Sequence, residues 1–168
     1  RLLSELDDID KESSLASVSI LLCHQATYNK LEVTVQKACN LPRIGMGGQP
    51  STYATVQLFK EDSVDKKDIV VKRNSRDPVF KEMVEFDVNI DANCPLSRYS
   101  LVISLIHKAG IVGRDEILGH VIFSISSPQK SAAEHWKFIC DTPHQHLEQS
   151  HSLVDPDELL NSNESSST

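Results

Sequence analysis

Four cysteines and seven histidines of this 168-residue chain are of types that could bind a metal or perform catalysis. The cysteines Cys23, Cys39, Cys94 and Cys140 form no Cys-x-x-Cys pair, so their spacing indicates neither a zinc site nor a redox motif. We expect buried free thiols in a reducing compartment. His107 stands in a predicted loop, where an imidazole could serve as a metal ligand or a general base. No nucleophile motif accompanies it, so we do not expect an enzyme.

A second group of chemically suggestive residues lies in the charged run Ser63–Arg76, SVDKKDIVVKRNSR. Lys66 and Lys67 stand between two aspartates, and three further basic residues follow with no acid among them: Lys72, Arg73 and Arg76. A basic side chain near an anionic membrane contributes about 1 kcal/mol of attraction. The run is therefore a candidate lipid or partner surface, with a solvated sheet edge protected by charge as the alternative.

Apolar residues also stand in two predicted loops. Ile44 and Met46 lie among three glycines in the segment Leu41–Ser51, which contains no carboxylate. Ile111 and Val112 form a similar pair later in the chain. An exposed apolar loop tip can enter a bilayer or contact a protein. Packing of these loops back onto the body of the domain is the alternative.

Eight short runs of alternating apolar and polar residues, separated by turn signals, predict the elements that position these residues. The runs span residues 17–22, 31–38, 53–59, 67–73, 83–88, 99–106, 118–125 and 151–154. Their spacing predicts an all-β fold, an eight-stranded antiparallel β-sandwich. One short helix is predicted near the C-terminus, over Ser131–Cys140, with Ser131 and Glu134 as a capping box and Trp136 on its buried side.

Charge is distributed unevenly along the chain. Residues 30–140 carry 15 basic and 13 acidic side chains, whereas the flanks carry 2 and 11, so the net charge of −7 originates in the flanks. We predict an acidic linker over residues 1–15, one folded domain over 16–154 and a disordered serine-rich tail over 155–168. The sequence shows no apolar run long enough to span a membrane and no signal peptide. Because it opens without methionine, we expect a piece of a longer protein.

Several short motifs follow one another in a fixed order: ACNLPRIGMGGQPSTYATVQL, RNSRDPVFKEMVEFDV, SLVISLI, DEILGHV, EHWKFICDTP and a final HSL. Together they resemble a C2 domain over Ala16–Val154, specifically the second C2 domain of a synaptotagmin-type tandem protein. A helix late in the chain is typical of second C2 domains. The resemblance implies a C2-type β-sandwich for the domain predicted over residues 16–154.

The resemblance also identifies the positions that bind calcium in this family. A C2 site gathers about five carboxylates around an ion that takes six to eight oxygens. Here the aspartate positions of the first and third loops correspond to four residues without a carboxylate: Gly45, Ser51, His107 and Ala109. Only Asp115 or Glu116 remains as a residual acid. We therefore expect no calcium and interpret His107 as a substitution tolerated after the metal was lost.

The function that the resemblance implies is a calcium-independent C2 binding module in membrane and vesicle trafficking or exocytosis. Where related domains carry four consecutive lysines, this chain has Asp65, Lys66, Lys67 and Asp68, so we expect protein–protein interaction, including self-association, ahead of phospholipid binding. The expected partners are trafficking proteins, a second copy of the chain and, as the further candidate, anionic phospholipid membranes. No cofactor and no nucleic acid are expected. The alternative function is a calcium-regulated, phospholipid-binding membrane sensor. We expect a cytoplasmic location, either peripheral on membranes or tethered to them through the full-length protein.

Overall fold

A computed structural model of the protein describes residues 15–155. The acidic linker predicted over residues 1–15 and the serine-rich tail predicted over residues 155–168 lie outside the described residues, apart from Leu15 and Asp155 themselves. Within the described part, no helix is long and apolar enough to cross a membrane.

Eight strands form two four-stranded antiparallel sheets. The first sheet has the order β5-β2-β1-β8 and the second the order β4-β3-β6-β7. This confirms the predicted β-sandwich, and the one α-helix of residues 15–155, α1 (Lys130–Asp141), confirms the predicted short C-terminal helix. The strands are β1 (Ser17–Gln25), β2 (Lys30–Cys39), β3 (Thr52–Lys60), β4 (Ser63–Lys72), β5 (Val79–Asp87), β6 (Ser100–His107), β7 (Glu116–Phe123) and β8 (Leu147–Ser152).

The core lies between the two sheets because each strand points every second side chain inward. In β2 these include Leu31 and Val33, and the same alternation buries the inner residues of β1, β3 and β6. Trp136, Phe86 and Phe123 are the largest fully buried side chains of the described residues. Each large apolar side chain removed from water contributes about 1.5–3 kcal/mol, so this core is the main source of stability.

The predicted bounds are wrong by four residues for three edge strands. β4 begins at Ser63 rather than at residue 67, β5 begins at Val79 rather than at residue 83, and β8 spans Leu147–Ser152 rather than residues 151–154. All three have few buried residues: Ile69 in β4, Phe80 and Phe86 in β5, and His151 in β8. An edge strand with so little buried surface lacks the apolar alternation that would mark its ends in a sequence.

Helix α1 packs on the sandwich through four buried residues spaced three or four positions apart: Ala132, His135, Trp136 and Ile139. Trp136 is fully buried, which confirms the prediction for this residue. The predicted capping box is wrong, because Gln129 is the N-cap residue and no side chain caps the helix. The Ser131 hydroxyl instead hydrogen-bonds with His151 Nδ1 at 2.8 Å, so this serine joins α1 to β8.

The end of the described chain links the two sheets. After β8, Val154 pairs with His120 of β7 through two backbone hydrogen bonds of 2.9 and 3.0 Å. Gly119 permits this approach, since a Cβ atom placed there would lie 2.7 Å from Leu153 Cβ. Residues 153–154 therefore close the sandwich along the β7 edge.

Candidate functional site

Three connections meet at one end of the sandwich, which we call the loop end. The first loop (residues 40–51) joins β2 to β3, and the third loop (residues 108–115) joins β6 to β7. Because β3 and β6 are antiparallel neighbours, with Thr52 opposite His107, the first loop ends beside the start of the third. The second loop (residues 73–78) joins β4 to β5 and reaches the same end, where Ser75 N donates to Pro50 O at 3.0 Å.

The tip of the first loop is a small hairpin held by its own backbone. Ile44 and Gly48 exchange two hydrogen bonds, of 2.8 and 2.9 Å. Gly45 and Gly47 have φ angles of +59° and +96°, a region that residues with a Cβ atom rarely adopt. This turn leaves Met46 fully exposed and Ile44 half-buried.

The base of the first loop is fastened to the second loop. Arg76 Nε donates to Leu41 O at 2.7 Å, and the backbone N–H of Asn40 donates to Asp77 Oδ1 at 2.9 Å. Arg76, one of the predicted basic binding residues, is thus half-buried and positions a loop. Of the basic residues predicted with it, Lys72 is half-buried and Arg73 is exposed.

Two of the four altered calcium positions contact each other. The backbone N–H of Ser51 donates to His107 Nδ1 at 3.0 Å, which joins the end of the first loop to the start of the third. Since Nδ1 is the acceptor, a neutral His107 ring carries its proton on Nε2. Gly45 lies apart from this contact, in the hairpin at the loop tip, and the backbone N–H of Ala109 donates to Asp115.

Asp115 is the acid that remains near the last calcium position, and both of its oxygens are engaged. Oδ2 accepts from the Tyr53 hydroxyl at 2.7 Å, and Oδ1 accepts from the Ala109 backbone N–H at 2.9 Å. The bond from Tyr53, followed by that from Ala109, lowers the pKa of the Asp115 carboxyl, and the Asp115 carboxylate in turn raises the pKa of Tyr53 to about 12. At neutral pH neither group readily exchanges a proton, so the pair is poorly suited to acid–base catalysis. Glu116, the other candidate acid, is exposed at the start of β7.

The donors at these positions do not match the needs of calcium. The ion takes six to eight oxygens at about 2.3–2.6 Å. The positions that the resemblance matches to calcium ligands supply one carboxylate, that of Asp115, whose two oxygens already accept hydrogen bonds. They also supply a ring nitrogen of His107, which accepts from the backbone. Of the positions that the resemblance compares with calcium ligands, Ser51, His107, Ala109 and Asp115 therefore hold the loops by hydrogen bonds.

The apolar residues predicted at the loop tips project into solvent. Met46 and Ile111 are fully exposed, and Val112 is 89% exposed. The alternative, in which both loops pack back onto the sandwich, does not hold for these three side chains. Three exposed basic residues flank them: Arg43, Lys108 and Arg114.

The two lysines of the charged run lie on opposite faces of β4, as neighbouring residues of a strand do. Lys66 Nζ lies 4.0 Å from Asp68 Oδ1, whereas Lys67 Nζ lies 5.6 Å from the centre of the Phe86 ring, which belongs to the core. They therefore do not form one basic surface. Asp68 also lines a shallow depression of about 420 Å³ together with Lys108 of the third loop, so this part of β4 continues into the loop end.

Sequence reasoning did not single out Tyr53, although it is the side-chain partner of the remaining acid. Tyr53 and Asp115 are 62 positions apart. Only the register of β3 against β6, and of β6 against β7, brings them together. From the sequence one could infer that Tyr53 points its hydroxyl outward from a strand and needs a hydrogen-bond partner, but not which residue that partner is.

Comparison with known proteins agrees with this architecture. The C2 domain family model matches residues 29–139. Synaptotagmin-4 from Homo sapiens is 31% identical over 149 residues, covering 88% of this chain and 34% of its own length. Synaptotagmin-7 from Mus musculus is 28% identical over 145 residues, covering 86% of this chain and 35% of its own length. The chain thus spans about a third of the length of these curated relatives.

Two solved structures show the same fold. The C2-A domain of RIM from Drosophila has a TM-score of 0.65 at 16% identity, covering 83% of this chain and 98% of that chain. The third C2 domain of the KIAA1228 protein has a TM-score of 0.61 at 20% identity, with 86% and 91% covered. At these identities the likeness concerns the fold alone. Because the family model matches well over half of its length, this chain belongs to the C2 domain family.

Proposed function

We propose that this C2 domain is a calcium-independent binding module of a synaptotagmin-like protein that acts in membrane and vesicle trafficking or exocytosis. The observation that carries the proposal is the loop end, where exposed apolar tips stand above calcium positions that are occupied by hydrogen-bonded, mostly uncharged groups. The loop end suits an anionic phospholipid membrane. A second surface, formed by β4 and β5, suits another protein or a second copy of this chain.

Calcium independence follows from the electrostatics of the loops. A cluster of carboxylates repels itself and an anionic membrane until a cation neutralises it. In the loop end only Asp115 remains at a calcium position, and the bond from Ser51 to His107 already joins the first loop to the third. No ion is therefore needed to order these loops or to remove their repulsion from lipid.

The composition of the tips favours a membrane. Burial of a side chain such as Met46 or Ile111 in an apolar environment contributes about 1.5–3 kcal/mol. Basic residues beside them add about 1 kcal/mol each near an anionic surface, and Arg43, Lys108 and Arg114 are placed for this. Apolar tips surrounded by basic residues combine insertion with attraction to headgroups.

Protein contact is supported by a different part of the sandwich. β4 and β5 are edge strands of the two sheets, and they lie next to each other. Four apolar side chains on them are about half exposed or more: Val79 and Met83 on the outer face of the first sheet, and Val64 and Val70 on the outer face of the second. Open strand edges and exposed apolar residues favour pairing with another chain. In a symmetric dimer the β4–β5 edge of one copy would face the same edge of the other.

Liposome co-sedimentation of the full chain tests the membrane part of the proposal. Liposomes with and without phosphatidylserine are compared in calcium and in chelator, at low and high salt. We expect equal binding with calcium and with chelator, a preference for phosphatidylserine, and weaker binding at high salt. The double variant Met46→Ser and Ile111→Ser is expected to reduce binding, whereas Met83→Ser on β5 is the matched control and is expected to bind normally.

Sedimentation velocity tests the protein part. Self-association that rises with concentration and is lost in Met83→Ser, but not in the Met46→Ser and Ile111→Ser variant, would support the β4–β5 surface. Liposome binding that appears only with calcium would refute calcium independence. A monomer that binds neither kind of liposome would refute the binding surfaces that we propose.

A further inference from the structure

Away from the loop end, three side chains with metal-binding chemistry form one row across the first sheet. Cys23 of β1 is directly opposite Glu32 of β2. On the other side of β1, Leu22 is opposite Leu147, so His146, one position earlier in the chain, lies beside Cys23. The row is on the outer face of the sheet, because Leu22, the neighbour of Cys23 in its strand, points into the core.

The donor atoms of this row converge. The Cys23 sulfur, a Glu32 carboxylate oxygen and a His146 ring nitrogen all lie within 4.8 Å of one another. His146 Nε2 and Glu32 Oε2 are 3.6 Å apart. A tetrahedral zinc ion holds nitrogen and oxygen ligands at about 2.0–2.2 Å, which places two such atoms about 3.3–3.6 Å from each other. The two donors thus already have the spacing of a zinc site.

The space among the donors can accommodate an ion. A cavity of about 70 Å³ is lined by these three residues and also by Thr34 and Met83. One water molecule has a share of about 30 Å³ in the liquid, so the cavity has room for an ion with a bound water. Cys23 is fully buried, whereas the His146 side chain is 51% exposed. An ion can therefore enter past His146 and reach the sulfur at the inner end.

We propose that Cys23, Glu32 and His146 bind a zinc ion. A thiolate and an imidazole favour zinc over calcium and magnesium, which prefer oxygen ligands. Three protein ligands leave the fourth tetrahedral position to water. On binding, the Cys23 thiol releases its proton to solvent and its sulfur forms the bond to the metal.

The proposed site is separate from the loop end. Its residues lie near the turn between β1 and β2, whereas the first loop leaves β2 at the opposite end of that strand. A bound ion would join β1, β2 and the connection from α1 to β8, which carries His146. Only the folded state brings these donors together, so we expect zinc to stabilise the native domain.

Cobalt(II) provides a direct test, because a thiolate ligand gives a charge-transfer band in the near ultraviolet and tetrahedral coordination gives strong visible absorption. We titrate the full, reduced chain with cobalt and then add zinc. The expected result is saturation of both absorptions at one cobalt per chain and their loss when zinc displaces the cobalt. A rise in melting temperature with zinc is the second readout.

Matched variants assign the ligands. Cys23→Ser is expected to abolish the charge-transfer band, and His146→Gln to weaken zinc binding by more than about 10-fold, a loss that even outer-shell changes cause. His146 is half exposed, so its variant is expected to keep the fold, which circular dichroism checks. Cys94→Ser and His107→Gln are the controls and are expected to bind metal like the parent.

Three results would overturn the site. The first is a parent chain without the charge-transfer band. The second is a band that persists in Cys23→Ser or disappears in Cys94→Ser. The third is an equal zinc affinity of the parent and the folded His146→Gln variant.

Discussion

Ser51 and His107 stand where calcium ligands stand in related domains, and each already has a hydrogen-bond partner in the other. At the positions compared with calcium ligands there is a single carboxylate, that of Asp115, and both of its oxygens already accept hydrogen bonds. A ligand that binds only the folded state stabilises it by RT ln(1 + [L]/Kd), so we predict that about 1 mM calcium leaves the melting temperature unchanged. Differential scanning fluorimetry measures this, with magnesium at the same concentration as the control. A rise of several degrees that a chelator reverses would contradict the prediction.

Asp68 separates Lys66 from the basic residues of the third loop. It lies 4.0 Å from Lys66 and lines the depression that Lys108 also lines. Asp68→Lys removes one repelled charge and adds one attracted charge, each contributing about 1 kcal/mol, so we predict that it strengthens binding to anionic liposomes by roughly 1–2 kcal/mol at low salt. Co-sedimentation at several lipid concentrations measures the change, and high salt is expected to remove most of it.

Asp65→Lys is the matched control for this substitution. Asp65 lies three positions earlier in β4 and therefore on the opposite face of the strand, the face of Lys67. The two variants have the same net charge, so a general effect of charge would strengthen liposome binding equally in both. Equal binding by the two variants would show that β4 has no preferred face toward the membrane.

At the scale of single elements, α1 depends on Trp136 for its contact with the sandwich. This side chain is fully buried, whereas Phe138, two positions later, is 38% exposed. Truncation of a buried tryptophan costs about 3–5 kcal/mol, so we predict a loss of this size in the free energy of unfolding for Trp136→Ala. Urea unfolding measures it, with Phe138→Ala as the control that is expected to lose much less. An unchanged midpoint together with altered self-association in Trp136→Ala would instead make this residue an interface contact.

A chain of hydrogen-bonded polar groups, two of them the buried side chains of His135 and His151, ties the same helix to β8. Leu147 O can only accept, so His135 Nε2 donates to it, at 2.8 Å. His135 Nδ1 then accepts from His151 Nε2 at 2.9 Å, and His151 Nδ1 accepts from the Ser131 hydroxyl at 2.8 Å. Both histidines are neutral in this arrangement. Burial, and then the repulsion that the neighbouring His135 would exert in its protonated form, lowers the pKa of His151 to about 4.

This chain of groups predicts a loss of stability in mild acid. The folded pKa of His151 lies below its unfolded value of about 6.5, so the unfolded state takes up more protons between these two values and stability falls as the pH is lowered. For His151 the loss in the free energy of unfolding is roughly 2 kcal/mol between about pH 7 and about pH 5. Burial also lowers the pKa of three other histidines, His24, His120 and His135, which makes the unfolding free energy depend more steeply on pH.

Urea unfolding at a series of pH values measures how the free energy of unfolding changes with pH. His151→Gln cannot take up a proton in this range and is expected to show a clearly smaller dependence on pH than the parent. The same slope in both proteins would mean that His151 is not held neutral by the fold.

At the scale of the molecule, the sandwich could be predicted because an inner strand such as β2 alternates between apolar and polar residues, and because β6 is a short, mostly apolar run. The helix could be predicted from the spacing of Trp136 and Ile139. The bounds of β4, β5 and β8 could not be predicted, since exposed edge strands have few buried residues that would mark their ends. The apparent capping box failed because the Ser131 hydroxyl contacts His151, a partner that local sequence does not reveal.

The candidate site could be predicted in part. The order of motifs along the chain predicted which residues lie at the loop tips, and the resemblance proposed which ones correspond to calcium ligands. The contacts of these residues depend on the register between strands. Tyr53 meets Asp115, and Cys23 meets both Glu32 and His146, only once the sheets have formed. Lys66 and Lys67 are neighbours in sequence, yet strand geometry puts them on opposite faces.

Most of the net negative charge of the chain lies in its two flanks. Residues 15–155 carry 15 basic and 16 acidic side chains, a net charge of −1, and the other residues carry 2 and 8, which completes the total of −7. Acidic flanks oppose approach to an anionic surface within the screening length, about 10 Å at 0.1 M salt and 3 Å at 1 M. We therefore predict that a fragment of residues 15–155 binds anionic liposomes more strongly than the full chain at low salt, and that the difference disappears at high salt. A 168-residue variant with the flanking acids changed to amides separates charge from length, and we expect it to bind like the fragment. If this variant binds like the parent instead, the flanks act through their length, and their charge has no part in membrane association.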